Sequence, residues 1–234
     1  IHLVPFLCSY LSQTNIDCDT VKCVVSVLEG YFKSMQPATI ADLNLVAQLI
    51  VISKSSDGKS DSSGFAQLCD LSDNLIQMLL RLTNELEQEQ LNVFCTVLKP
   101  MWFALLFQQS RKRGSVLALL KILIVMMGRN EPYCRKFRAS FFFALVKDSL
   151  SKFYQFPEIY SALMQLMFAN ESTSRSFWCD ADYCAANLTS FFSRFDLSVV
   201  VVPEAFDILL HLLNKNMKLE LERSSEYDGS SYIF

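Results

Sequence analysis

The chain has 234 residues, of which 51% are apolar and 19% are charged, so it is long enough to bury a core in one large domain. Only six Gly and six Pro argue against a β-sandwich or barrel dense in turns. The longest apolar run is far shorter than the ~20 residues that span a bilayer, and no membrane span is predicted. Because the chain starts at Ile1 rather than Met, we expect a fragment of a larger protein.

Helices are predicted over the first fifty residues, where apolar positions recur at spacings of three and four. Asp17 or Asp19 can cap the second helix, and Pro37 closes it. The predicted ranges are 3–12, 20–35 and 40–53.

Residues 54–64 contain five Ser and no apolar residue. This composition is typical of a flexible surface loop between two helices. The alternative is a regulatory loop whose serines are phosphorylated.

Several helices are predicted in the central part of the chain, with Ser72 or Asp73 capping the second of them. Pro100 either kinks one long helix or begins a new one. Gly114 is placed to end a helix or form a tight corner, and Asn130 caps a last helix that reaches about Lys152. The predicted ranges are 65–71, 74–86, 88–98, 101–109, 115–127 and 131–152.

Two later helices begin alike, with Pro157-Glu158 and Pro203-Glu204 in their first turns. They are predicted over 156–168 and 202–215, with another helix over 181–195 between them. The run 197–203 is the one β-like stretch, and it does not justify a sheet.

Helix pairs recur at a spacing of roughly 40 residues across 15–216, a period that helical repeats share. With the two Pro-Glu helix starts, this pattern resembles armadillo and HEAT repeat scaffolds, without a strict repeat motif. The resemblance implies an all-α, armadillo/HEAT-like stack of about ten helices over 1–216, which binds proteins in a groove and has no catalytic residues. An irregular helical bundle is the alternative.

The eight cysteines show no CxxC spacing, and His2 and His211 are the only histidines, so no metal site is predicted. Most of the cysteines lie in apolar helical stretches, which favours reduced, buried thiols and an intracellular protein, cytoplasmic or nuclear. The alternative is a secreted, disulfide-bonded chain, with sequons at Asn170 and Asn187.

Motifs for catalysis and for cofactor binding were not found: the sequence has no GxGxxG, GxxxxGK[ST], GxSxG or HExxH. His211 lies in an apolar helical stripe, and Glu85, Glu87 and Glu89 resemble a solvated helix end rather than an acid/base pair. We therefore expect no enzyme activity and no cofactor.

The segment 99–152 carries eleven Lys or Arg and two acids, a local net charge of +9 in a chain whose net charge is −3. If neighbouring repeats stack, its two basic clusters share one ridge beside three aromatic residues. Such a ridge suits an acidic or amphipathic peptide of a partner protein. The candidate partner-binding residues are Arg111, Lys112, Arg113, Arg129, Arg135, Lys136, Arg138, Trp102, Tyr133 and Phe137.

Three alternatives stay open for this segment. The first is a nucleic-acid-binding helical domain, because Lys and Arg neutralise phosphates and aromatic rings stack on bases. The second is ordinary solvation of a very apolar region by its helix-end charges. The third concerns the chain as a whole, which would be an obligate oligomer subunit with no separate ligand.

The last segment, 217–234, is an acidic, Ser-rich tail, predicted to be disordered alone in its charged middle. It ends in Tyr232, Ile233 and Phe234, an apolar end that is typical of a short docking peptide. The alternative is a linker to a further segment.

Overall fold

The structure is a computed structural model that describes residues 3–13, 16–34, 40–55, 64–168 and 200–228. These ranges contain eleven α-helices, one short 3-10 helix and no strand, which confirms the prediction of an all-α chain. The chain divides into two compact units, Ile1–Phe142 and Phe143–Phe234, whereas the sequence analysis treats 1–216 as one domain.

The described residues of the first unit form eight helices. Asp17 lies just before the second of them and accepts a hydrogen bond from the backbone N–H of Thr20 at 2.9 Å, as predicted for a cap. The helices are α1 (Leu3–Leu11), α2 (Cys18–Ser34), α3 (Ile40–Ser55), α4 (Gly64–Glu85), α5 (Gln88–Val97), α6 (Pro100–Gln109), α7 (Arg113–Arg129) and α8 (Glu131–Arg138).

The second unit begins at Phe143, so it contains all of α9 (Phe142–Leu150) except the first residue. It continues with a 3-10 turn (Ser151–Phe153), α10 (Pro157–Phe168) and α11 (Pro203–Asp228). Helices α10 and α11 pack against each other. The last helix runs without a break through Asp228, beyond the predicted end at 215. The candidate docking residues Tyr232, Ile233 and Phe234 lie outside the described residues.

Before α11, the backbone N–H groups of Val201 and Val202 both donate to the carbonyl of Met167, each at 2.9 Å. These two hydrogen bonds satisfy a carbonyl in the last turn of α10. The described part of the β-like run, residues 200–203, forms no strand. The predicted helix 181–195 and most of the loop 54–64 lie outside the described residues.

The predicted break at Ser72 and Asp73 is wrong, because α4 continues through both residues. The Asp73 carboxylate does not cap its own helix. It accepts a hydrogen bond from the Ser115 hydroxyl and pairs with Lys112 Nζ at 2.9 Å, both near the start of α7. The Asp73 side chain, which the sequence suggests as a local helix cap, therefore contacts residues that are distant in sequence instead.

Gly114 was also predicted wrongly, since it lies in the first turn of α7 and not at a helix end. Pro100 begins a new helix, and α6 is bent by 69° from α5. Asn130 caps α8 as predicted, accepting from the backbone N–H of Tyr133 at 2.9 Å.

The predicted long helix 131–152 is instead broken into α8, α9 and the 3-10 turn. The Ser140 hydroxyl donates to the Phe137 carbonyl at 2.6 Å and accepts from the Phe142 N–H at 3.3 Å. A serine that bonds to nearby backbone in this way competes with the helical hydrogen bonds. The chain therefore turns at 139–141.

Helices α2 and α4 run parallel and are joined by ion pairs near their C-terminal ends. Arg81 donates to Glu29 at 2.6 and 2.9 Å, and Lys33 Nζ lies 2.7 Å from Glu85. From the first contact to the second, the residue number increases by four on α2, from Glu29 to Lys33, and by four on α4, from Arg81 to Glu85. Only a parallel arrangement of α2 and α4 produces that order.

Helices α4 and α7 are parallel as well. Asp73, in the first half of α4, contacts Lys112 and Ser115 at the start of α7. At the other end, Arg129 Nη1 donates to the carbonyl of Leu86 at 3.2 Å, just beyond α4. Helices α2, α4 and α7 therefore form one parallel layer, in which α4 lies between the other two.

Helix α7 is the core helix of this unit. The exposed side chain of Lys121 interrupts an otherwise apolar sequence, and a helix that is apolar nearly all round is expected to be buried. Its buried residues are Ser115, Val116, Ala118, Leu119, Leu120, Ile122, Leu123, Ile124, Val125, Met126 and Met127. Within the described ranges no single helix is long and apolar enough to cross a membrane, although α5 and α6 pass that test together as a bent pair.

Candidate functional site

The structure separates the two basic clusters that the sequence analysis placed on one ridge. Arg111, Lys112 and Arg113 lie at the start of α7, whereas Arg135, Lys136 and Arg138 follow its other end. A helix rises 1.5 Å per residue, so the two ends of α7, where the clusters begin, lie about 24 Å apart. They do not form one continuous ridge.

The cluster at the start of α7 is exposed, and Lys112 is paired within the unit. Lys112 Nζ lies 2.9 Å from the Asp73 carboxylate, which also accepts from Ser115. An acid at a helix N-terminus complements the helix dipole. Lys112 is therefore an exposed charge that also joins α7 to α4 through its ion pair with Asp73.

Arg129 has a structural role. Its guanidinium donates to the carbonyl of Leu86 and, at 3.5 Å, to that of Thr83, both of which lie at the end of α4. The last carbonyls of a helix generally have no partner within it, and arginine is a common C-terminal cap. The Arg129 carbonyl in turn accepts from Gln88 Nε2 at 3.1 Å. Its side chain is committed to holding the corner between α4 and α5.

Helix α8 presents the second cluster on an exposed face. It begins at its Asn130 cap, has Pro132 in its first turn, and carries its basic residues in the last turn, where positive charge suits the helix dipole. Arg135, Lys136 and Arg138 are exposed. The contact of Arg135 with Glu131 is 3.7 Å long and solvated, and it neutralises little.

The opposite face of α8 holds Tyr133, Cys134 and Phe137 in the core. The Phe137 ring lies 4.7 Å from the ring of Tyr133 and 4.9 Å from that of Phe142, between centroids. The Tyr133 hydroxyl donates to the Leu98 carbonyl, and burial raises the pKa of this phenol well above its usual value. Tyr133 and Phe137 thus anchor α8.

Trp102 is half-buried, and its Nε1–H donates to the Ala47 carbonyl at 3.1 Å, which joins α6 to α3. The three aromatic residues of the candidate set are therefore used mainly inside the unit. The prediction that these rings lie beside an exposed ridge is wrong for Tyr133 and Phe137, which are buried. On α8 the helical spacing that directs the charges outward directs these two rings inward. The partner-binding role of the exposed basic residues stays a prediction.

Sequence analysis missed Phe141, whose side chain is 82% exposed. It lies in the turn between α8 and α9, next to the buried Phe142. The signal was the run of three Phe at 141–143 directly after Ser140. Three successive aromatic residues at a turn do not all reach one core.

Five cysteines in the described part of the chain are free thiols. Cys8, Cys95 and Cys134 are buried, and Cys18 and Cys23 are exposed on α2. Burial raises the pKa of Cys8 to about 11 and that of Cys95 to about 12, so both thiols stay protonated at neutral pH. Within the described residues no group of three or more His, Cys, Asp or Glu side chains is arranged to hold a metal ion.

No protein-family model, curated protein or solved structure matches the chain. The resemblance to armadillo and HEAT repeats thus stays a prediction.

Proposed function

We propose that this chain is a non-enzymatic scaffold that binds a partner protein, and that its first unit is a short stack of helical hairpins. The observation that carries the functional part is the exposed basic face of α8, defined by Arg135, Lys136 and Arg138. Its opposite face is anchored in an aromatic core, so the charges project from a fixed support. Such a surface suits electrostatic steering of an acidic partner.

The packing order supports the hairpin stack. The hairpins are α1 with α2, α3 with α4, and the bent pair α5 and α6 with α7, and within each the helices pack together. Between hairpins, α1 packs on α3, and α3 on α5 and α6, while α2 packs on α4 and α4 on α7. The first helices of neighbouring hairpins therefore pack together, and so do the second helices, as in repeat arrays whose units contact only their neighbours.

A reducing compartment, cytoplasmic or nuclear, fits this proposal. The exposed Cys18 and Cys23 are free thiols, and disulfides are rare in such compartments.

A pull-down from nuclease-treated lysate tests the proposed function. It compares the wild-type chain with Arg135→Glu/Lys136→Glu and with a control, Lys99→Glu/Lys121→Glu. All four side chains are exposed, and both variants change the net charge equally. We expect at least one protein to be depleted about tenfold by the α8 variant and retained by the control, because like charges oppose docking at the contact itself.

The variants first need circular dichroism spectra that match the wild type. Capture that disappears on nuclease treatment would favour nucleic acid and contradict the proposal. Equal capture by both variants would remove α8 as the binding surface. A chain that retains no protein, but self-associates in light scattering, would be an oligomer subunit instead.

A further inference from the structure

Phe141 is the most exposed of the large apolar side chains in the described residues. Its neighbour Phe142 is buried against Phe103, Phe107 and Phe137, with ring centroids 4.9 to 6.5 Å apart. The hydrogen bonds of Ser140 to Phe137 and Phe142 hold the same turn. Phe141 is thus an apolar side chain in water on a backbone that is anchored on both sides.

The basic face of α8 lies within reach of this ring. Phe141 follows Arg138 by three residues, and successive Cα atoms are 3.8 Å apart, so the two Cα atoms are within about 11 Å. Arg135 and Lys136 are exposed on the same short helix. Two kinds of contact therefore meet on one small surface, three positive charges and one apolar ring.

We propose that Arg135, Lys136, Arg138 and Phe141 form a docking surface for a short acidic segment of a partner protein, in which an apolar residue packs against Phe141. This inference rests on the proposed function and deepens it by naming the chemistry of the partner. The charges of α8 attract the acidic segment, and the ring contributes burial of apolar area.

The size of the surface favours a peptide over the other polyanions. Helix α8 has eight residues and is therefore about 12 Å long. Proteins that bind single-stranded nucleic acid follow its backbone along a groove and stack successive bases, whereas here the other basic cluster lies at the opposite end of α7. Stable membrane docking requires a larger apolar area than one ring together with its charges.

The test measures fluorescence anisotropy of labelled peptides with the full chain at low salt. The probe is a short peptide of Asp and Glu around one central Leu, compared with a version carrying Ser for Leu and one carrying Lys for every acid. We expect the Leu peptide to bind roughly fivefold more tightly than the Ser peptide, and the Lys peptide not to bind.

The variants locate the site. Arg135→Glu/Lys136→Glu is expected to weaken the Leu peptide about tenfold, whereas Lys99→Glu/Lys121→Glu should leave it unchanged. Phe141→Ser should abolish the preference for Leu over Ser while keeping the salt dependence, a result that simple charge attraction does not produce.

Equal binding of the Leu and Ser peptides, or equal loss in both charge variants, would overturn the inference. Preferential binding of a single-stranded oligonucleotide, or of vesicles that contain anionic lipid, at the same residues would overturn it too. If the peptides fail while nuclease-treated lysate still supplies a protein partner, only this inference fails. If the lysate supplies none, the proposed function fails.

Discussion

Replacing Phe137 by alanine is expected to lower the free energy of unfolding by about 3–5 kcal/mol. The side chain has no exposed surface, and its ring contacts those of Phe103, Tyr133 and Phe142. Removing it leaves a cavity where α6, α8 and the start of α9 meet. Aromatic contacts add to the cost beyond the lost burial.

Urea denaturation followed by circular dichroism measures this loss. The matched control is Phe141→Ala, four residues away, which removes the same atoms from an exposed site and should change the free energy of unfolding by no more than about 0.5 kcal/mol. Similar losses in the two variants would mean that the inward and outward faces of α8 and its following turn are assigned wrongly.

Replacing Glu29 by glutamine is expected to lower the free energy of unfolding by about 1–2 kcal/mol at neutral pH. The Glu29 side chain is 13% exposed, accepts two hydrogen bonds from Arg81, and pairs with Lys33 at 2.9 Å. The Arg81 hydrogen bonds hold the pKa of this carboxyl below its usual value, against the opposing effect of burial, and Lys33 adds to the lowering.

The sign of the pH dependence follows from this lowered pKa. The stabilisation by Glu29 is complete above the unfolded-state pKa of about 4.3 and is lost as the pH falls through the lower folded-state pKa. The difference between wild type and Glu29→Gln should therefore be largest near pH 7 and shrink in strong acid. Glu131→Gln, in the exposed pair with Arg135, is the control and should show no measurable loss at either pH. A loss at Glu29 that does not vary with pH would exclude the ion pair as its cause.

Helix existence and type were largely predictable, because long apolar periodicities and proline positions are local properties. The capping role of Asn130 is an example, and Pro100 was predicted to mark either a kink or the helix start that the structure shows. The predictions failed where another part of the chain contacts the residue. Asp73 has the chemistry of a helix cap, but its partners are Lys112 and Ser115, some forty residues later. Single-sequence periodicity carries no information about such pairings.

The candidate site was predictable in composition but not in geometry. A local net charge of +9 is visible in the sequence, whereas the separation of its clusters depends on the length and straightness of α7. Similarly, the sequence marks Phe137 and Phe141 as aromatic residues near basic ones. Which of them is exposed depends on the break at 139–141, and that break depends on the Ser140 hydrogen bonds.

These corrections change which residues of the segment can contact a partner. Arg129 and Lys112 support the helix packing, while Arg135 and Lys136 are exposed on α8 and Phe141 is exposed on the turn after it. The support itself depends on the parallel order of α2, α4 and α7. That order is the central structural claim.

Zero-length carbodiimide cross-linking followed by mass spectrometry tests the parallel order most directly, because the reagent joins a lysine amine to a carboxylate in contact with it. The pairs at 2.7 and 2.9 Å predict the cross-links Lys33–Glu85 and Lys112–Asp73, one joining α2 to α4 and one joining α4 to α7. Cross-links Lys33–Asp73 and Lys112–Glu85 in their place would mean that α4 runs antiparallel to its neighbours, and would contradict the hairpin stack.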